Sequence, residues 1–355
     1  MDCIPVPPRK VAGDLSWSQV SKWNRCAWQW TLRYVYGLKV REVSRPLIRG
    51  RLVDVGVEAA LRQHHKLGKW LPSTVTKAIR AAVTEALKDG LTLTNEDDTW
   101  TGEAEACREV ALRALTDLDL DRFETVEDSD GKPLIQYKMR SPLGVDEPWS
   151  GFVGILDWVA RDKETGRVFL VDLKVSATSK DSVTHTLGAQ WAIYQRMLYT
   201  ELGIEVDGSV EWWVRGVTPG KPKVNKNGNV SRQAVVTTWA IYLETVKQNK
   251  GKPADYLDMK EKLEATPWSR WEPFYRSMST CEAIWDRVVF TTAKEIKTVL
   301  GTNRPNYTLD AVPRNLSGMS CQWCDFRGLC HGQMAGDDVS WLIEEGYEHG
   351  NQEGK

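Results

Sequence analysis

The sequence predicts an α/β protein in which a helix, three strands, a second helix and a fourth strand form a core between long helical stretches. Three observations predict it. Apolar residues recur at helical spacing up to about residue 121 and again after about residue 233. Between Leu134 and Arg215 the pattern changes to short apolar runs bounded by turn residues. No apolar run approaches the roughly 20 residues of a membrane span, and the N-terminus MDCIPVPPRKVAGD lacks the apolar centre of a signal peptide. A soluble, cytoplasmic chain without membrane contact is expected.

The elements follow in order. Ser16-Trp17-Ser18-Gln19 has the form of a capping box, predicting a helix that runs to about Tyr36 and stops at Gly37. Trp23, Cys26 and Trp30 would then share one face. Helices are expected over Arg49–His65, Ser73–Asp89 and Glu103–Asp121, with breaks at Pro72 and Asn95–Thr99. Strands are expected over Leu134–Arg140, Gly151–Ala160 and Arg167–Lys174, the last two joined by a turn at Asp162–Gly166. A helix over Asp181–Leu202 carries Gln190 and Tyr194 one turn apart on one face, and Val206–Arg215 returns to strand. The chain is expected to be mostly helical from Gln233 to about Leu300. This divides it into a helical region (1–100), a core (101–216), a basic loop with helices (217–300) and a cysteine-bearing segment with an acidic tail (301–355). GVTPGKP at Gly216–Pro222 is one spacer short of a phosphate-binding loop and has Pro where Ser or Thr would bind magnesium.

The 355 residues carry 47 basic and 48 acidic side chains, a formal net charge of −1, but the charges are uneven. Leu15–Val53 holds eight basic residues and one acid, and Trp212–Leu243 has no acid while Arg215, Lys221, Lys223, Lys226 and Arg232 fall in a Gly/Pro/Asn-rich stretch. Local fields of this kind attract polyanions. The loop could close over a nucleic-acid strand or be a plain solvated loop. Among the 17 tryptophans, Trp17, Trp23, Trp28 and Trp30 could stack bases or anchor the core.

Seven cysteines, an odd number, argue against a disulfide framework. Cys107 and Cys281 lie in helix-like segments and are expected as small buried residues. Cys321-Gln-Trp-Cys324 followed by Cys330 instead has the spacing of a metal or iron–sulfur site lacking a fourth ligand. His331 would complete a zinc site; Cys26 is the other candidate.

In Phe169-Leu-Val-Asp-Leu-Lys174, Asp172 and Lys174 share one strand face, and Asp157 lies near the matching end of the preceding apolar strand. Two carboxylates and an ammonium are costly to bury unless compensated. Hard oxygen ligands suit magnesium or manganese. In phosphodiester hydrolysis such cations polarise the phosphate and lower the pKa of a water, while a nearby Lys orients that water or stabilises charge.

Several short motifs, taken in order, resemble the RecB-like iron–sulfur branch of the PD-(D/E)XK nuclease superfamily, which includes CRISPR-associated single-strand exonucleases and phage-encoded relatives. Leu15-Ser16-x-Ser18 with Cys26 resembles the family's first helix and first cluster cysteine. Gly50–Asp54 resembles GxxxH, Gly154–Asp157 GxxD, Val171–Lys174 the D/E-x-K strand, and Gln190–Tyr194 QxxxY; Cys321, Cys324 and Cys330 resemble the closing trio. The likeness spans roughly residues 15–331. It implies a restriction-endonuclease-like core with large helical N- and C-terminal additions joined by an iron–sulfur cluster.

It further implies that Asp157, Asp172 and the Leu173 carbonyl bind Mg2+ or Mn2+, and that Lys174 positions or activates the attacking water. Gln190 and Tyr194 would hold DNA at the site, and Cys26, Cys321, Cys324 and Cys330 would ligate a [4Fe–4S] cluster. The chain departs from the family at Asp54, which stands where many relatives have His; Asp can serve as a harder ligand, or Glu58 one turn on can replace it. The implied activity is exonucleolytic cleavage of single-stranded DNA ends, 5′–3′ favoured, in phage-type recombination, repair or processing, in host cytoplasm if phage-encoded. A homo-oligomeric ring would suit strand threading. The alternative is a non-catalytic DNA-end-binding module with a degenerate nuclease fold.

Overall fold

The computed structural model describes residues 11, 13–93, 99–144, 149–178, 188–233, 236–265, 268–301 and 312–349. Cys3, Asn95–Asp98 and the first part of the predicted Asp181–Leu202 helix lie outside them. The centre of the molecule is a mixed seven-stranded sheet: β1 (Gly13–Ser16), β2 (Phe123–Thr125), β3 (Ile135–Ser141), β4 (Trp149–Asp162), β5 (Val168–Ser176), β6 (Gly208–Arg215) and β7 (Ser269–Phe274). The order is β1-β4-β5-β6-β7, with β2 and β3 on the opposite side of β4. β4 and β5 form an antiparallel hairpin, closed at the expected turn by Gly166 N–H to the Asp162 carbonyl. β5 and β6 are parallel, joined through helix α5, numbered below; parallel neighbours require such a crossover.

Among the helices of the described residues are α1 (Trp17–Arg25), α2 (Arg45–Leu67), α3 (Pro72–Lys88), α4 (Trp100–Asp117), α5 (Ala189–Leu202) and α6 (Trp239–Gln248). Two cores cover the sheet's faces. The first joins Trp28, Trp30, Phe152, Leu170, Trp191, Met197 and Trp285; the second packs Leu52, Val57, Ile79 and Val110 against Trp158, Val171 and Trp212. The expected strands and the helices on either side of them are therefore present, with shifted ends. Among the described residues no helix is long and apolar enough to cross a membrane.

Three differences from the sequence reading stand out. The expected first helix breaks at Cys26, whose backbone is extended (φ −165°, ψ 111°) before a short second turn at Ala27–Trp30. The cause is tertiary: Trp28 N–H bonds the Pro313 carbonyl, and Cys26 Sγ accepts from Asn315 N–H at 3.4 Å. Cys26 therefore does not share a continuous helix face with Trp23 and Trp30, although Gly37 ends the segment as predicted, with φ +68°. Second, Ser16 caps α1 through its side chain but also ends β1, a strand too short to be legible. Third, the stretch expected to be mostly helical after Gln233 contains β7, an edge strand on β6; Pro273 is tolerated there because an edge strand has a free side.

Candidate active site

The acidic residues meet where the sheet splits. β4 pairs with β5 from Arg161 back to Trp158, opposite Val171, and no further. Beyond that point β1 takes over as its neighbour, pairing with Gly151, Phe152 and Val153. The Leu173 N–H, freed by the divergence, donates instead to Asp157 Oδ2 at 2.8 Å, as a buried amide must find some acceptor. The pleat also slips here: Phe152, Leu156 and Val159 belong to the first core, but Trp158 and Ala160 to the second. The opening lets side chains from both faces converge. Asp54 comes from α2 on the second-core side. Asp172 and Lys174 come from β5, and Gln190 and Tyr194 from α5, on the first-core side.

Burial and like charge dominate the electrostatics. Asp54 is pushed up to about 6, first by burial, then by Glu58 and Asp172. Asp157 is raised well above the ordinary carboxyl value by burial, then by Asp172 and Asp54. Lys174 pairs with Asp172 at 2.6 Å; burial pulls its ammonium down, but Asp172, Asp157 and Glu211 outweigh this and hold it above its usual value. Burial raises Tyr194 to about 12. One ammonium thus faces the buried Asp172 and the half-buried Asp54 and Asp157, an arrangement that lacks positive charge.

Among the described residues, no group of three or more His, Cys, Asp or Glu side chains is gathered closely enough to hold a metal ion as it stands. The donor chemistry still fits a hard cation: carboxylate oxygens alone, with Asp172 Oδ2 buried and without a hydrogen-bond partner beyond its ion pair to Lys174. Gln190 Nε2 reaches Asp172 Oδ1 only at 3.5 Å. Glu58, the alternative to Asp54, is paired with Arg62 at 2.7 Å.

Three participants were not foreseen. Gln136, on β3 opposite Asp157, sends its amide to Asp54 and Asp157; a polar residue between Ile135 and Tyr137 was the only sequence signal. Glu211, 1% exposed, is the register partner of Asp172 on β6. Arg49 clamps buried Glu103 through two bonds of 2.6 and 2.9 Å and donates to the Gly216 carbonyl, tying α2 to α4 and to the end of β6.

The four cysteines share one neighbourhood, linked through Asn315, but among the described residues they are not gathered closely enough to hold a metal ion as they stand. Cys324 and Cys330 are each raised by burial and by neighbours that include Cys26 and Cys321. The Cys321 thiol donates to the Asn315 carbonyl, and Arg314 donates to Cys330 Sγ at 3.6 Å. None of the described cysteines is in a disulfide. His331 is exposed. Cys107 and Cys281 are fully buried, as expected.

The basic loop is less free than its composition suggests. It folds back through a Val224–Val230 bridge and Asn225 N–H to the Asn229 carbonyl. Arg232 is engaged by Asp258 and lies over Tyr256, and Arg215 lies over Trp268. Lys221, Lys223 and Lys226 are exposed. Trp23, Trp28 and Trp30 are buried, with Trp23 and Trp30 edge-to-face at 5.3 Å, so base stacking is overturned for these three in favour of the core. Trp17 is half-buried against the same core.

A divergent mixed sheet carrying Asp157, Asp172 and Lys174 at its split has the architecture of a hydrolytic nuclease core. The sequence pattern of the PD-(D/E)XK nuclease superfamily matches residues 14–331, and the chain belongs to that superfamily, whose members are usually metal-dependent nucleases acting on DNA. No curated protein matches significantly. A solved structure titled "Crystal structure of SSO0001" is similar over 82% of this chain and 87% of its own, at 9% identity and a TM-score of 0.27.

Proposed function

We propose that the chain is a metal-dependent DNA exonuclease of the RecB-like iron–sulfur branch, degrading single-stranded ends, 5′–3′ favoured, in phage-type recombination or repair in the host cytoplasm. The observation that carries the reading is the meeting of Asp54, Asp157 and Asp172 with a single ammonium, Lys174, at the split between β4 and β5. Asp157, Asp172 and the Leu173 carbonyl, with Asp54 beside them, would hold Mg2+ or Mn2+. The cation would supply Lewis acidity toward the scissile phosphate. Lys174, kept protonated by its carboxylate neighbours, orients the attacking water and offsets charge developing on the phosphate oxygens. Gln190 and Tyr194 line the first-core side of the opening and position the strand; the exposed Lys221, Lys223 and Lys226 add attraction for its backbone. Cys26, Cys321, Cys324 and Cys330 would ligate a [4Fe–4S] cluster tying the end of α1 to the helices Gly318–Gln322 and Arg327–Ala335. The amide and guanidinium donors on Cys26 and Cys330 suit thiolate ligands.

The test compares cleavage of end-labelled single-stranded and duplex DNA by anaerobically purified protein in Mg2+, Mn2+ or EDTA, with Lys174→Ala alongside. Metal-dependent degradation lost in a folded Lys174→Ala variant is expected, and the label's position reports polarity. Binding without cleavage in either metal would leave a DNA-end-binding module. A brown protein absorbing near 400 nm, bleached by Cys26→Ser but not by His331→Ala, is expected for the cluster; a colourless zinc protein would overturn it.

A further inference from the structure

We infer that the side-chain amide of Gln136 is a placeholder for the cation, and that it must leave its present position when the cation binds. The inference rests on the reading of Asp54 and Asp157 as cation ligands. Gln136 Nε2 lies 3.2 and 3.1 Å from the two oxygens of Asp54 and 3.3 Å from Asp157 Oδ1. A single nitrogen therefore sits among three oxygens of two carboxylates. It supplies them with partial positive charge, but an –NH2 group has no lone pair to offer a cation. An amide nitrogen and a cation cannot share that point.

The backbone is shaped for this placement. Gln136, the second residue of β3, has φ +43°, a region that non-glycine residues rarely enter and that tends to mark functional sites. Leu134 belongs to the first core and Ile135 to the second, as strand alternation requires. Strict alternation would then return Gln136 to the first-core side and Tyr137 to the second. Instead Tyr137 and Met139 pack with the first core, so Ile135 and Gln136 both turn toward α2, where Asp54 lies. The positive φ is what redirects the amide, at the level of the strand pairing where β4 slips at Asp157. Lys174 cannot take this role, being held 2.6 Å from Asp172.

When a cation enters, the Gln136 amide gives up its bonds to the carboxylates. The amide would thus lower cation affinity while keeping the empty site folded, so that Gln136 trades one property against the other.

The test measures Mn2+ affinity by calorimetry at pH 8 and thermal unfolding in EDTA, for wild type, Gln136→Ala and Gln136→Gly, with Asp157→Asn as control. Both Gln136 variants are expected to bind Mn2+ about five- to tenfold more tightly than wild type, as the competing hydrogen bonds are gone. Both should melt lower in EDTA, with Gln136→Gly above Gln136→Ala because glycine accepts the positive φ. Affinity equal to or weaker than wild type in both variants would overturn the placeholder while leaving the cation site intact. No Mn2+ binding by the wild type would overturn the cation site and the placeholder together.

Discussion

Replacing Gly154 by alanine asks whether the GxxD strand and the QxxxY helix are one physical unit. A Cβ at Gly154 would lie 2.7 Å from Tyr194 Cε1 and 3.2 and 3.3 Å from Cδ1 and Cζ, whereas carbon atoms settle about 3.5–4.0 Å apart. The ring must therefore retreat by roughly 1 Å. It has little room: Tyr194 is 8% exposed and lies within the first core. Overpacking of this kind costs about 1–3 kcal/mol, and the rigid surroundings place the expected loss near the middle, about 2 kcal/mol. Tyr194→Ala alone should cost about 3–5 kcal/mol by cavity formation, but in that background alanine at 154 meets open space and should cost close to nothing. Urea unfolding of the four proteins gives the coupling energy directly. Additive losses, or a Gly154→Ala variant within about 0.5 kcal/mol of wild type, would refute the contact as the reason for glycine at this position.

Further outcomes follow from the same geometry. Glu103→Gln removes the buried negative charge that Arg49 and the exposed Arg45 share and leaves Arg49 with one acceptor in place of two, so it should destabilise by about 3–5 kcal/mol. Burial opposes ionisation of Glu103, but the two arginines hold its carboxyl below the ordinary value. Its stabilisation is therefore full above the ordinary carboxyl value and is lost as pH falls through the depressed one, so the gap between wild type and Glu103→Gln measured by urea unfolding should narrow in acid. Asp54 behaves oppositely: with its carboxyl raised to about 6, the metal-free protein should lose stability as pH rises from about 4 through 6. Added Mn2+ should then raise the melting temperature more at pH 8 than at pH 5, and equal shifts would count against Asp54 as a ligand. Trp30→Ala should cost about 3–5 kcal/mol, since Trp30 is fully buried between Trp23 and Trp149; a change confined to DNA affinity would revive base stacking.

Local pattern alone was enough to place the periodic elements and the polar residues on their faces. Strand alternation put Asp172 and Lys174 on one face, helical spacing joined Gln190 to Tyr194, and the turn at Asp162–Gly166 closed the hairpin, because each depends only on local backbone geometry. It could not show that β4 and β5 part after Trp158, for a split in a sheet depends on which strand arrives next, here β1 from far away in the chain. For the same reason the places of Gln136 and Glu211 were hidden: Gln136 meets Asp54 and Asp157 on other elements, and Glu211 faces Asp172 across the strand pair. The break at Cys26 is likewise set by Pro313 and Asn315, nearly 290 residues on. Local propensity could write the continuous helix through Tyr36, but only distant hydrogen bonds could interrupt it and set Cys26 against Asn315, whose carbonyl also meets the Cys321 thiol.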